Sequence, residues 1–485
     1  MTKLAVVLAA ALVAPVLITP SIAGADQRQD GPGVPPMAEI SGKTRGYIKA
    51  PPSAFVEHGG PEISKILYVN RCTGGCTFTK STYSDAITNN TIIGEFPVGT
   101  QFTVAEFAQS EQVWNDTLQC LREAYAPYDV QIVTEDPGAV PHHEAVLAGT
   151  WRDINRPGVL GVAPLDASTC EPKNNVISFS LANDHVADGL QLCWTIAQES
   201  AHSYGLDHAF ECTDPMTYIG DNCGQKFFRN KASPCGENGP RDCLCSGSSQ
   251  NSHAKLLSVH GANATPVPAP TIAITQPANG STVTAPFSVV VGATDKRGIN
   301  KLELLVNGWK WAEVPGSRNQ AFLVSVPREV PDGVLDLTIR ACNDLDICGA
   351  QTITVTKGAP CASADACLTG QKCEAGKCFW DPPTQELGDA CEYAQQCLTG
   401  TCQGLSDGTQ ICTRSCFAGP NDDCDEGFKC GAAIGQEGVC VPASDDGGGC
   451  CSAGGDRGGM GGALAVNLGL GAAVGLMIVR RRRRA

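Results

Sequence analysis

Residues 198–208, Gln198-Glu199-Ser200-Ala201-His202-Ser203-Tyr204-Gly205-Leu206-Asp207-His208, combine side chains that could hold a metal ion with a carboxylate placed to work beside it. If residues 190–204 form a helix, Gln198 and His202 stand one turn apart on one face and can meet a single ion. Glu199 follows the first of these positions, so its carboxylate can reach a metal-activated water without being a ligand. There it could take the water's proton and later deliver it to a leaving amine. Gly205 permits a left-handed helix end. The chain can then turn back so that His208 approaches the same ion from outside the helix. Catalytic zinc sites use three protein ligands and leave one position open. Met216 follows, in Asp214-Pro215-Met216-Thr217-Tyr218.

Glu199, His202, Gly205, His208 and Met216 at these spacings resemble the signature of the metzincin metallopeptidases, with Gln198 where that signature carries its first histidine. The resemblance extends over about residues 65–261. With Tyr68-Val69-Asn70 and Gly161-Val162-Ala163-Pro164 it is also similar to a family of secreted myxobacterial proteins. It implies an α+β metzincin-like domain at 63–261 that binds Zn2+ through Gln198, His202 and His208. Glu199 would be the general base and Met216 a packed floor beneath the ion. Tyr218 would be a further ligand or stabilise an oxyanion. It also implies an antiparallel sheet edge that holds an extended peptide. The amide oxygen of Gln198 is a weaker donor than imidazole. Gln198 itself, Tyr218, or a histidine from elsewhere (His142, His143 or His185) could complete the site. The expected activity is zinc-dependent endopeptidase cleavage of protein or peptide substrates. The alternative is a pseudopeptidase acting as a surface binding or adhesion protein.

Such a site needs a scaffold, and hydrophobic periodicity predicts one. Residues 63–70 read as a strand, and Thr103-Val104-Ala105-Glu106 has capping-box form opening a helix to about Tyr125. Strands are expected at 128–134, 145–150, 159–163 and 176–181, then the motif helix, rich in Leu190, Leu192, Cys193, Ile196, Ala197 and Ala201. Beyond His208 the chain turns cysteine-rich and closes with an amphipathic run at 249–259. Ten cysteines precede residue 262, an even number, so all can pair, with connectivity left open.

The remaining chain reads as several domains, as 485 residues require. Residues 1–25 form a secretory signal peptide, and the 26 cysteines agree with an oxidising compartment. Residues 26–62 read as a flexible arm or short pro-segment; no cysteine there could plug a metal. After a Thr/Pro/Ala linker at 262–270, short β-rich runs at 271–357 suggest an Ig-like sandwich, a spacer or a module for a partner or extracellular polymer. Cys342 and Cys348 could close a local loop there. Residues 361–440 carry twelve cysteines with Cys-Leu-Thr-Gly repeated at 367–370 and 397–400, an array of disulfide-stapled units. Residues 445–485 join Cys450-Cys451, an apolar membrane segment at 463–479 and Arg480–Arg484. This tail resembles a myxobacterial C-terminal sorting signal, which implies export to the cell surface, the segment inserting in the membrane. The net charge of −15, despite five terminal arginines, argues against nucleic-acid binding.

Overall fold

A computed structural model describes residues 44–56, 62–219, 223–316, 320–405, 408–418, 424–432 and 437–443. The expected signal peptide, the Cys450-Cys451 pair, the 463–479 segment and the arginine cluster lie outside the described residues. The chain is multi-domain and mostly β, with few helices. Among the described residues no helix is long and apolar enough to cross a membrane.

The N-terminal unit contains β1 (Thr44–Ala50), β2 (Ile66–Asn70), β3 (Cys76–Lys80), β4 (Asn90–Thr91), β5 (Gln101–Val104), α1 (Glu111–Tyr125), β6 (Gln131–Val133), β7 (His143–Leu147), β8 (Val159–Asp166), β9 (Ile177–Ser180), α2 (Gly189–Ser203) and α3 (Ser252–His260). Its main sheet runs β1-β8-β9-β7-β2-β6. The strands from β9 to β6 pair in parallel, whereas β8 is antiparallel to β9. β7, β8 and β9 are buried along their whole lengths, because both faces of the sheet are covered. One face packs on α1 and α2 through Leu67, Val69, Leu121, Leu147, Leu192 and Ile196. The other packs on the small β4-β3-β5 sheet through Phe78, Phe102, Val146 and Phe179.

α2 forms where the apolar pattern predicted it. The Asp188 side chain accepts from the Leu190 amide to cap its start. Leu192 and Ile196 are fully buried, each contributing roughly 1.5–3 kcal/mol. A disulfide between Cys120 and Cys193 joins α2 to α1. The expected capping box at Thr103–Glu106 does not start a helix. Residues 101–104 alternate exposed and buried, which seats Phe102 and Val104 as a strand. The helix begins instead at Ser110, whose side chain accepts from the Val113 amide. The stretch expected to be a flexible arm is also different. Residues 44–50 form β1, and Ala54 and Phe55 pack in a small core with Ala50 and Val176.

All ten cysteines of this unit pair: 72–76, 120–193, 170–245, 212–223 and 235–243. The next unit is a β-sandwich. Its strands are β10 (Thr271–Gln276), β11 (Thr282–Val283), β12 (Ser288–Thr294), β13 (Lys301–Val306), β14 (Trp309–Pro315), β15 (Ala321–Ser325), β16 (Gly333–Cys342) and β17 (Cys348–Lys357). A β10-β12-β15 sheet faces a β11-β17-β16-β13-β14 sheet across a Val/Leu/Ile core, and Cys342–Cys348 closes one loop. In the cysteine-rich region six disulfides staple three successive units, 361–373 with 367–378, 391–402 with 397–412, and 416–430 with 424–440.

Candidate metal centre

The last turn of α2 ends in a Schellman arrangement. The Gly205 amide donates to the His202 carbonyl at 3.0 Å and the Leu206 amide to the Ala201 carbonyl at 3.2 Å. Gly205 has φ +87°, and a Cβ there would collide with the Cys170 carbonyl, so glycine is required twice over. This reversal brings His208 back to the helix. The His202 and His208 rings lie 4.8 Å apart.

Both imidazoles are held by their Nδ1 atoms. His202 Nδ1 donates to the Leu206 carbonyl at 2.7 Å, and His208 Nδ1 donates to Glu237 Oε1 at 2.7 Å. A neutral ring whose Nδ1 carries the proton presents Nε2 as a lone pair, the arrangement that outer-shell acceptors impose on metal-binding histidines. His208 Nε2 is buried and has no hydrogen-bond partner. Gln198 is fully buried; its Nε2 donates to the Met216 carbonyl at 3.4 Å, and its Oε1 has no partner. Glu199 is fully buried and lies against β8, where only Gly161 leaves room for its carboxylate. Met216 is fully buried in the main core; its amide donates to Asp214 Oδ1 at 2.9 Å and its carbonyl accepts from Ala209. Tyr218 packs its ring 4.6 Å from that of His208. Gln198, His202 and His208 could thus hold a cation, with Glu199 and Tyr218 alongside.

Four further residues complete the site, and sequence reasoning had missed them. Tyr47, from β1, packs its ring edge-on 4.9 Å from His202 and tilted 5.1 Å from His208, and its hydroxyl donates to Asp207 Oδ1 at 3.1 Å. Burial, reinforced by the Asp207 charge, pushes its phenol up to about 12, so it is a neutral donor. Arg241 clamps Asp207 through Nη1 and Nη2 at 2.6 and 2.9 Å and bonds Glu237 at 2.7 Å. Burial works to raise Asp207, but Arg241 and the amides of Leu244 and His208 hold it at about 2. Glu237 is held well below the usual carboxylate range, chiefly by its bond to His208, so it stays ionised. The Cys235–Cys243 disulfide closes the segment carrying Glu237 and Arg241, and the Gly236 amide donates to the His208 carbonyl. A turn-rich, cysteine-rich segment gave no sign of which loop would return to His208. Only the adjacency of Asp207 to the motif could have suggested a role.

Two other expectations fall differently. His142 immediately precedes β7 and His143 begins it, and both are buried. His143 packs against Tyr204, which also meets His260, so it belongs to a separate cluster. His185 ends the turn after β9, where its carbonyl accepts from Gln109. The antiparallel strand β8 is not the outer strand of the sheet. β1 lies beyond it in parallel register, Gly46 opposite Val162 and Tyr47 opposite Ala163. Gly46 allows this close pass, since a Cβ there would stand 3.2 Å from the Tyr218 hydroxyl. Among the described residues, other groups of potential ligands are the cysteine triads of the C-terminal units and Asp207, His208 and Glu237. The cysteine sulfurs are consumed in disulfides, and Arg241 already pairs with both Asp207 and Glu237.

Comparisons with known proteins bear on the sandwich. Residues 270–338 match the family described as Bacterial Ig domain, which makes this unit an Ig-like module. No curated protein matches the chain. Among solved structures, the fibronectin(III)-like modules of Clostridium thermocellum CbhA are 15% identical with a TM-score of 0.17, covering 19% of this chain and 48% of theirs. The endo-beta-1,4-mannanase from Thermotoga petrophila is 12% identical with a TM-score of 0.16, covering 43% of this chain and 40% of its own. The chain thus spans less than half the length of either, and likenesses at these scores carry no argument about it.

Proposed function

We propose that the N-terminal unit is a metzincin-like zinc endopeptidase, exported and sorted to the cell surface. The observation that carries this reading is the pair of buried imidazoles, His202 and His208, whose rings lie 4.8 Å apart and are each fixed by an Nδ1 acceptor, with Gln198 and Glu199 buried on the same helix as His202. One oxygen and two imidazoles suit a borderline divalent ion such as zinc. Bound there, zinc would supply Lewis acidity toward water and a peptide carbonyl. Glu199 accepts a proton from the attacking water and passes it to the leaving amine. Its pocket beneath Gly161 keeps bulk water away and fixes the carboxylate. Tyr218, its ring 4.6 Å from that of His208, would stabilise a developing oxyanion. Glu237 and Arg241 hold His208 in one tautomer throughout. The Ig-like and cysteine-rich units would face an extracellular polymer or partner, and the apolar tail would insert in the membrane.

The test is metal content with turnover. The purified exported chain should hold one zinc per molecule and cleave casein, and Glu199→Gln should abolish cleavage while zinc stays bound. No stoichiometric zinc after refolding with excess metal would remove the reading.

A second reading, a pseudopeptidase that binds rather than cuts, is favoured by β1. It occupies the outer side of β8, where an extended peptide would otherwise add to the sheet. Zinc without turnover, in the natural chain and in a Tyr47→Gly variant that loosens β1, would establish it.

A further inference from the structure

We propose that the Ig-like module is a positioning part of the metal centre, and that its Arg297 and Asp344, through Arg229, hold the turn carrying Met216 beneath the site. Two sandwich loops form the contact. Arg297 lies between β12 and β13, and Asp344 lies inside the Cys342–Cys348 loop. Arg297 donates to Asp344 through Nε and Nη2, both at 2.8 Å, and Nη2 also donates to the Phe228 carbonyl of the N-terminal unit at 2.7 Å. Its guanidinium lies 5.0 Å from the centre of the Phe227 ring. It is only 6% exposed, which an arginine on a tethered module would not be.

Arg229 carries the contact inward. Its Nη1 donates to the Arg297 carbonyl at 2.5 Å and lies 3.5 Å from Asp344. The Asn230 amide donates to Asp344 at 3.3 Å. On its other side, Arg229 Nε donates to the Thr213 carbonyl at 3.1 Å and its amide to Asp214 Oδ2 at 2.9 Å. The opposite oxygen of Asp214 receives the Met216 amide, and the Met216 carbonyl receives Gln198 Nε2. Three side chains therefore connect the sandwich to the turn that supports the first ligand position. Lys296 adds an ion pair with Glu123 of α1. A module that only sets distance needs none of these contacts. Breaking one partner of such a buried pair leaves a charge uncompensated, so the turn responds when the sandwich lets go.

The zinc readout rests on the function proposed above; the exchange readout does not. In the exported chain, Asp344→Asn and Arg297→Ala should speed hydrogen exchange of the Asn230 and Met216 amides at least tenfold in metal-free protein, leaving the α1 and α2 amides unchanged. Zinc Kd, measured by competition with a chelating dye, should rise about tenfold, the scale seen when outer-shell supports are lost. Arg297→Lys should restore part of both. Faster Asn230 exchange with an unmoved Met216 amide would overturn the proposal. Faster Met216 exchange in a chain that binds no zinc would uphold the docking and remove only the zinc reading.

Discussion

His208 is held by a carboxylate that is itself held by an arginine, and this makes Glu237 the residue most exposed to test. Glu237→Ala frees the imidazole to rotate and leaves Arg241 half paired, so zinc affinity should fall about 10–100-fold by dye competition, with the far-UV spectrum unchanged. Gly205 faces a different constraint. Gly205→Ala combines a left-handed backbone with a collision against the Cys170 carbonyl. It should cost about 1–3 kcal/mol or more, read as a lower urea midpoint at unchanged slope. At this scale the meeting of His202 and His208 was legible from spacing alone. Asp207, Glu237, Arg241 and Tyr47 were not, because the bonds that tie them to the site, Glu237 to His208 and Tyr47 to Asp207, span 29 and 160 positions and leave no periodic trace.

Among the elements, α2 matters most, and its rigidity comes from neighbours rather than propensity. It is buried on nearly every side and tied to α1 by Cys120–Cys193, which closes 73 positions. Replacing both cysteines by alanine should destabilise the N-terminal unit by about 2–5 kcal/mol, seen as a lower Tm under non-reducing conditions. The helix itself was readable, since thirteen of its fifteen residues are buried and the apolar run is unbroken by proline. β1 was not readable. Seven residues with glycine, lysine and arginine among them look like linker, and only the open side of β8 makes them a strand. The reverse error at Thr103–Glu106 has the same origin: a local capping signal yielded to the tertiary demand that Phe102 and Val104 fill the second core.

At the scale of the whole molecule, two buried histidines, His143 and His260, contribute to the response to acid. Burial, with a contribution from His260, lowers His143 to about 3, and burial lowers His260 to about 4. The unfolded chain binds protons at these groups near pH 6.5, so the folded state excludes protons that the unfolded state takes up. Their stabilisation is complete above pH 6.5 and is lost as pH falls toward 3. Burial pushes Glu144 up to about 7 and Asp214 up to about 6, which acts in the opposite sense at neutral pH. A His143→Gln, His260→Gln double variant should therefore show a shallower fall of Tm between pH 6.5 and 4 than the natural chain. An equal slope would place the acid response elsewhere. The order of the Ig-like and cysteine-rich units, the even count of cysteines in the N-terminal unit and the helix that carries His202 were set by the sequence itself, because composition and short-range spacing act locally. Which cysteine meets which, which strand covers β8, which loop returns to His208 and what the sandwich leans on were decided only in three dimensions. Each depends on contacts between segments whose separation along the chain carries no period, and burial alone selects among them.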